Sequence, residues 1–580
     1  MCSFEISTPP STGSDRTGAG DGISRRPPGS VMHLERLGSF HPTRISFVRS
    51  LIRRMHREGW SIERDRFDLN ADGYGTAVYR AATPFGTFSL VAFSRYLPPE
   101  NRTDRVIAAE WDASFVLVEG RPDDATIARL EITVPLQEAG HYGAGEFVLS
   151  RANKSTRLFD YVVDCLARGK QPASGRLSEI GYLMRTTAVY GNGKFGLADR
   201  LKLHEGPVLN RPFQAEFLTV YMIRHFTLDL VDHIAAARSP ASAVMLEPLL
   251  RRSLGIGNAT GLGMAPFLVS HPALIHRWIW ARETAIARVC AVTRASPACI
   301  ERFRVLLDRA RVHIDGWRTD DARFAARILV LRREFVDLDA WLDGAGKAVF
   351  ETDRPWRALV EWSEKNASVE MQELLNSLLL EPYPDLVDEL EETMGDPENS
   401  ALSPNMTVAS LKALIETDYG WALDIDFDEP DAQHLFWYVS EEKLEPRLGE
   451  RYNEPGAEKE MRTGVARDVA ALFNILRDAV AADPEESVAE FLLRQPGLRH
   501  IVRRVQTLRI YPYGEIRDNL LDRDCIAIDL LRCKLSFFGA CKFDPKSDRW
   551  LRVTLFQGAP LAGELTREDA DDWAFPAMPS

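Results

Sequence analysis

Apolar and polar residues recur with two different periods near the beginning of the chain. Between Thr43 and Gly59 apolar residues recur every three or four positions, opposite a face rich in arginine. This spacing predicts an amphipathic helix that ends at Gly59. The runs that follow alternate or are rich in β-branched residues: Trp60–Asn70, Tyr74–Ala82, Gly86–Leu97 and Val106–Glu119. We therefore predict an α+β module, one helix followed by an antiparallel sheet, over residues 31–150.

The middle of the chain has a helical pattern throughout. Its clearest segments have apolar residues at intervals of three and four, with Gly and Pro clusters between them: Arg157–Arg168, Phe213–Ala237, Pro272–Val292, Pro297–Val312 and Asp321–Leu342. This pattern predicts a helical domain over residues 151–345, which contains the glycine-rich segments. A second helical domain is predicted over residues 346–510.

The last part of the chain changes character again. Cys525–Phe537 and Trp550–Phe556 have strand-like composition, with a turn signal at Phe543–Asp548 between them. We predict a short C-terminal sheet within a β-rich segment over residues 511–580. The predicted fold class is therefore α+β and predominantly helical, with the two sheets at opposite ends of the chain.

Composition and charge narrow the class of protein. The formal net charge of -13 over 580 residues argues against nucleic acid as the main partner. Seven widely spaced cysteines in a long chain favour a reducing cytoplasm over a disulfide framework. No apolar run reaches the ~18 residues needed to cross a bilayer, so no membrane partner is expected. Residues 1–30 are rich in Ser, Gly, Pro and Arg, which predicts a disordered lead. The sequence is compatible with a homo-oligomer.

A first glycine-rich segment, Gly191–Gly196, formally matches the GxGxxG pattern of dinucleotide-binding turns. The second strand and the acidic residue that should follow such a turn are absent, so an NAD(P)-dependent oxidoreductase is only an alternative. A less specific hypothesis assigns Gly191, Gly193 and Lys194 to an anion, because backbone N–H groups and a lysine attract carboxylate or phosphate. A tight turn with an exposed lysine explains the same residues.

A second glycine-rich segment spans Gly255–Gly263 and directly follows two arginines. We predict a loop in which Arg252, Gly257, Asn258 and Thr260 bind the anion, since neither the amide nor the hydroxyl is needed for packing. Close packing of helices, which glycine also permits, is the competing explanation.

Acid–base chemistry is assigned to the helix that begins at Pro272. His271 stands just before this helix, and His276 and Glu283 lie on nearly one face of it, seven residues apart. A histidine near a carboxylate can act as a general acid or base, because its pKa is easily moved across neutrality. An amphipathic helix with satisfied polar groups has the same pattern.

Another helix carries His225, Asp229 and His233 along one stripe. Imidazole and carboxylate ligands suit zinc or iron, which makes a metal-dependent enzyme using His225 and Asp229 an alternative. Residues four apart on one straight helix do not usually converge on a single ion, so a polar stripe is the simpler interpretation.

These patterns favour an enzyme that acts on a small anionic metabolite bearing a carboxylate or phosphate. In this hypothesis the glycine-rich segments, Lys194 and Arg252 hold the anion, and His271 or His276 transfers protons. A non-catalytic assembly or regulatory protein is a further alternative. The sequence indicates no particular cofactor, substrate or reaction class.

Overall fold

A computed structural model describes residues 24–101, 110–136, 145–186, 209, 211–261, 268, 271–319, 321–344, 346–394, 402–427, 437–440, 446–448, 460–463, 465–517, 527–545, 550–571, 573 and 575. The α-helices of this part of the chain are α1 (Pro28–Val31), α2 (Leu34–Leu37), α3 (Phe47–Arg57), α4 (Asp124–Thr133), α5 (Phe159–Ala167), α6 (Ser174–Ile180), α7 (Gln214–Arg238), α8 (Pro248–Ser253), α9 (Pro272–Cys290), α10 (Pro297–Asp315), α11 (Ala322–Asp343), α12 (Pro355–Asn366), α13 (Val369–Leu378), α14 (Pro384–Val387), α15 (Val408–Asp418), α16 (Gly420–Leu423), α17 (Val465–Ala482), α18 (Val488–Arg494), α19 (Arg499–Ile510), α20 (Ala527–Cys533) and α21 (Arg567–Asp571).

The strands of the described residues are β1 (Ser61–Leu69), β2 (Gly75–Thr83), β3 (Gly86–Ser94), β4 (Ala113–Glu119), β5 (Glu146–Lys154), β6 (Tyr182–Thr186), β7 (Gly255–Gly261), β8 (Trp437–Ser440), β9 (Pro446–Leu448), β10 (Glu460–Thr463), β11 (Lys542–Pro545) and β12 (Trp550–Leu555). The predicted class, mixed α+β and mostly helical, is confirmed. The bounds of α3, α5, α7, α9, α10 and α11 follow the predicted helical segments closely.

Nine strands form one sheet in the order β1-β2-β3-β4-β5-β6-β7-β12-β11. Strands β1 to β6 pair antiparallel with their neighbours, whereas β6 and β7 are parallel. A parallel pair needs a long crossover, and α7 lies within the segment that connects these two strands. β8, β9 and β10 form a small separate sheet.

The strands at the end of the chain do not form a sheet of their own. β12 pairs antiparallel with β7, and β11 pairs with β12, so both extend the N-terminal sheet. The prediction of a strand over Cys525–Phe537 is wrong. Ala527–Cys533 is a helix, and Lys534–Phe538 continues it as a π-helix. A short apolar run that is buried all round has the same composition in either structure, so periodicity cannot distinguish the two.

The sheet is covered on both faces, as its alternating residues predict. On β3, Leu90 and Ala92 belong to the large core shared with α7, whereas Val91 and Phe93 belong to a smaller core shared with α4. The large core continues through α9 to α13 and reaches Phe575. Helices α15, α17, α18 and α19 enclose a separate apolar core. No helix among the described residues combines the length and apolar character needed to span a membrane.

Arginines on and before α3 pair with acidic residues almost 350 positions later in the chain. Arg49 and Glu381 are both fully buried, and Arg49 donates through both Nη atoms to the two carboxylate oxygens. Arg44 donates to both oxygens of Asp388 at 2.6 and 2.7 Å. Burial alone would raise the pKa of Glu381, but the charges of Arg49, His41 and Arg44 lower it to about 2. This buried ion-pair network therefore stays fully charged at neutral pH.

We expect Arg49→Met to lower the free energy of unfolding by about 3–5 kcal/mol, because it leaves Glu381 buried without its main partner. The double variant Arg49→Met/Glu381→Met should recover most of this loss, since it buries no unpaired charge. Urea denaturation of the wild type and both variants measures the two differences. Arg357→Ala, which breaks an exposed pair with Glu361, is the control and should change stability by less than about 1 kcal/mol. Equal losses in Arg49→Met and Arg357→Ala would contradict the prediction.

Candidate functional site

The parallel pair β6–β7 places a polar cluster at the point where β6 ends. Thr186, the last residue of β6, is paired with Asn258 of β7. The Asn258 Nδ2 atom donates to the carbonyl oxygen of Thr186 at 3.1 Å, and the Thr186 and Ser150 hydroxyls are 2.5 Å apart. In open α/β sheets, the carboxyl ends of parallel strands are where ligands usually bind.

Lys534 joins this cluster from the first residue of the π-helix. Its Nζ atom donates to Asn258 Oδ1 at 2.6 Å, and the whole residue is buried. The side-chain amide of Asn258 thus accepts a hydrogen bond at its oxygen and donates one through its nitrogen to the Thr186 carbonyl. Together these two hydrogen bonds fix the orientation of the amide. Short π-helical segments within helices are frequently associated with functional sites. We call Lys534, Asn258, Thr186 and Ser150 the lysine cluster.

Aromatic side chains surround the segment that carries Lys534. Phe538 packs edge-on against Phe213, with ring centroids 4.9 Å apart, and Phe537 packs in the same way against Phe47 and Trp278. Burial among such groups disfavours the charged amine and lowers the pKa of Lys534 from 10.5 to about 7. Within the described residues Lys534 forms no ion pair. At neutral pH a large fraction of this amine is therefore unprotonated, with a lone pair available for addition or proton transfer.

Of the residues predicted to bind an anion, Asn258 alone lies in the lysine cluster. The segment predicted as a loop around Gly257 and Thr260 is strand β7, which corrects that prediction. Glycine is needed here for close packing, because a Cβ atom on Gly257 would lie 2.8 Å from the ring of Tyr182. The guanidinium of Arg252 donates to Asp569 at 2.5 Å and to the carbonyl of Gly558 at 3.0 Å.

The first glycine-rich segment, with Gly191, Gly193 and Lys194, lies outside the described residues. In the sequence this segment begins five positions after Thr186.

The predicted acid–base residues lie at the start of α9 and along it, and the contacts described for His276 and Glu283 are made with residues outside the lysine cluster. His271 is the N-cap residue of α9, and His276 Nδ1 accepts the backbone N–H of Tyr513 at 3.0 Å. Burial and the charge of Arg277 lower the pKa of His276 to about 3. Glu283 accepts two hydrogen bonds from Arg26, at 2.8 and 2.9 Å. Its burial would raise its pKa, but the charges of Arg26 and Arg282 outweigh that effect and lower it.

Two of the three metal candidates on α7, Asp229 and His233, have separate hydrogen-bond partners. Asp229 accepts hydrogen bonds from Tyr79 at 2.7 Å and from Arg251 at 2.9 Å. His233 Nε2 lies 2.8 Å from the carbonyl oxygen of Asn70. Burial and the charge of Arg224 lower the pKa of His225 to about 3. Over the residues that the structure describes, no group of three or more His, Cys, Asp or Glu side chains is arranged to hold a metal ion.

Comparison with known protein families, with curated proteins and with solved structures gives no match for this chain. No relative therefore identifies the site, and its assignment depends on geometry alone. Analysis of the sequence missed Lys534. A signal was present, since Lys534 is the one charged residue between Cys533 and Cys541 in an otherwise apolar and small run. A lysine in such a run is either exposed at an edge or buried at a site.

The low pKa of Lys534 predicts a pH-dependent stability. Between about pH 7 and pH 10.5 the unfolded chain holds a proton on this amine that the folded chain has released, so folding becomes more favourable as pH rises. We expect Lys534→Met to reduce this rise over the interval from about pH 7 to about pH 8, where ordinary thiols are still mostly protonated. Urea denaturation at several pH values measures the slope. An unchanged slope in the variant would show that the amine titrates normally.

Gly257→Ala tests the strand assignment of the second glycine-rich segment. The added methyl group would meet the Tyr182 ring inside a packed sheet, so we expect a loss of about 1–3 kcal/mol in the free energy of unfolding. Thermal denaturation measures it. Gly86→Ala, at a turn where a Cβ atom meets nothing within 4 Å, is the control and should be nearly neutral. A neutral Gly257→Ala would favour the loop originally predicted.

Proposed function

We propose that this chain is an enzyme that acts on a small anionic metabolite bearing a carbonyl group, with Lys534 as the reacting amine. One observation carries the proposal: the Lys534 amine is fully buried, forms no ion pair within the described residues and has a pKa lowered to about 7. Strongly perturbed ionisable groups of this kind are concentrated at functional sites.

The chemistry follows from the neutral amine. Its lone pair adds to the carbonyl carbon of the substrate, forming a C–N bond as the C=O π bond opens, and one amine proton moves to the carbonyl oxygen. The resulting carbinolamine takes up one proton from water at its hydroxyl group, loses that group as water and becomes a protonated imine on Lys534. The hydrogen bond from Nζ to Asn258 Oδ1 orients the amine, and the bond from Asn258 to the Thr186 carbonyl holds the amide in place.

The preference for an anion has a separate electrostatic reason. A protonated imine buried at Lys534 carries a positive charge, and isolated buried charges are strongly disfavoured. A carboxylate or phosphate on the substrate supplies the missing negative charge. Gly191, Gly193 and Lys194 follow Thr186 closely in the chain and stay our proposed holders of that anion, whereas Arg252 is already paired with Asp569.

The other functional classes predicted from the sequence receive less support from the described contacts. Asp229 is occupied by Tyr79 and Arg251, so a metal site that uses it would have to break both contacts. An NAD(P)-dependent reaction rests on Gly191–Gly196 alone. A non-catalytic assembly protein gives no reason to bury a lysine that forms no ion pair with any of the described residues.

Reductive trapping tests the proposal. The purified chain is incubated with a panel of 2-oxo acids and phosphorylated aldehydes in the presence of cyanoborohydride, and adducts are located by peptide mass spectrometry. We expect a reduced adduct on Lys534, which is absent from Lys534→Met. The control is Lys154→Met, because Lys154 is also buried and contacts the rings of Tyr74 and Phe159, and this variant should keep the adduct.

Adducts confined to exposed lysines, with the peptide containing Lys534 recovered unmodified for every compound, would contradict the proposal. Asn258→Asp provides a second measurement. The new carboxylate beside Nζ should raise the pKa of Lys534 and shift the pH dependence of trapping to higher pH.

A further inference from the structure

The segment Ser24–Pro27, which the sequence assigns to the disordered lead, lies against helix α9. The Arg26 guanidinium donates to both oxygens of Glu283, at 2.8 and 2.9 Å, and to Glu373 Oε1 at 2.8 Å. Both carboxylates are buried and stay ionised. Burial would raise the pKa of Glu373, but the charges of Arg26 and Arg282 lower it to about 2. The guanidinium group therefore sits between two fixed negative charges, a geometry that arginine satisfies and lysine does not.

The residues on either side of Arg26 are recognised by different chemistry. The guanidinium of Arg25 lies 4.8 Å from the ring centroid of Trp280, and its Nε atom donates to Thr284 Oγ1 at 2.7 Å. The Tyr513 hydroxyl donates to the backbone carbonyl of Arg26 at 2.7 Å. Pro27 has φ -69° and ψ 151°, which is polyproline II geometry.

These contacts correspond to a known mode of peptide recognition. Proline-rich ligands bind as preformed polyproline II helices to surfaces lined by aromatic rings, and hydrogen bonds to their carbonyls and acidic partners for a flanking arginine add specificity. Here the Trp280 ring contacts the Arg25 guanidinium, the Tyr513 hydroxyl binds the Arg26 carbonyl, and Glu283 and Glu373 supply the acidic partners. The segment thus occupies this surface as a peptide ligand would.

We propose that α9, Glu373 and Tyr513 form a binding site for an arginine–proline peptide, that the chain fills this site with its own Ser24–Pro27, and that a partner peptide with the order Arg-Arg-Pro can replace it. The inference is independent of the chemistry proposed for Lys534. It assigns Glu283 to peptide recognition instead of catalysis.

Space next to the segment supports exchange. A cavity of about 290 Å³ lies between Ser24–Pro27 and helices α9 and α12. Ile286, Cys290 and Val360 provide its apolar lining. On the α12 side Glu361 is paired with Arg357, which also lines the cavity, and Glu364 adds a further negative charge. A longer peptide can therefore place residues that precede its Arg-Arg-Pro motif in contact with the protein.

Calorimetric titration tests the site with the peptide Ser-Arg-Arg-Pro, the sequence of residues 24–27. We expect it to bind a chain that begins at residue 28, and to bind the full chain at least about tenfold more weakly, because a tethered segment competes at an effective concentration in the millimolar range. The same peptide with lysine in place of the second arginine should lose most of the affinity. Glu283→Gln in the shortened chain should weaken binding of the arginine peptide to a similar degree.

A shortened chain that keeps its near-ultraviolet circular dichroism but binds neither peptide would overturn the proposal. So would equal affinity for the arginine and lysine peptides. If the shortened chain does not fold, the full-length variant Arg26→Ala decides: ethylguanidinium should raise its thermal midpoint and leave that of the wild type unchanged. Equal shifts in both proteins, or no shift in either, would show that Glu283 and Glu373 do not form an exchangeable guanidinium site.

Discussion

The ion pair between Arg49 and Glu381 is the contact on which the arrangement of the large core depends. It lies inside that core, on a helix that precedes the sheet, and its acidic partner follows α13. A buried charge is tolerated only beside its counter-charge, so the position of α3 determines where the chain can pass more than 300 residues later. The pair formed by Arg44 and Asp388 places the same kind of constraint on the chain seven positions after Glu381.

Such pairs contribute more to specificity than to net stability, because desolvation cancels much of their attraction. Apolar packing alone would let α3 slide or rotate against α13. The bidentate geometry of Arg49 on Glu381 admits one register. The enclosure of Lys534 depends on this register indirectly, since Phe47 on α3 packs against Phe537 in the aromatic group that desolvates the amine.

The local part of the fold was predictable and the long-range part was not. α7 was predicted over nearly its full length because its 25 residues contain no glycine or proline and repeat apolar side chains at intervals of three and four. β7 was missed because its glycines have low strand propensity, and they are used here for close contact with Tyr182 and with the backbone of Leu555. That requirement arises from residues far away in the sequence, which no local pattern contains.

The candidate sites show the same division. Asn258 stood out in the sequence as a polar residue without a packing role, but its partner Lys534 lies 276 positions away. Arg26 was assigned to a disordered lead on composition, although its partners Glu283 and Glu373 hold it from 257 and 347 positions away. Composition describes only what one segment contains. It therefore does not show which distant residues that segment contacts in the folded chain.

The pairing of β7 with β12 has a consequence for folding during synthesis on the ribosome. When β7 emerges, the strand that will cover its outer edge has yet to be synthesised, roughly 290 residues later. At ~5–20 residues per second this interval lasts on the order of tens of seconds. Throughout that time the nascent sheet presents an open row of backbone donors and acceptors, which invites wrong partners. A glycine-rich edge with little apolar side-chain surface is a poor template for such association, so the composition of β7 also protects the chain while it is being made.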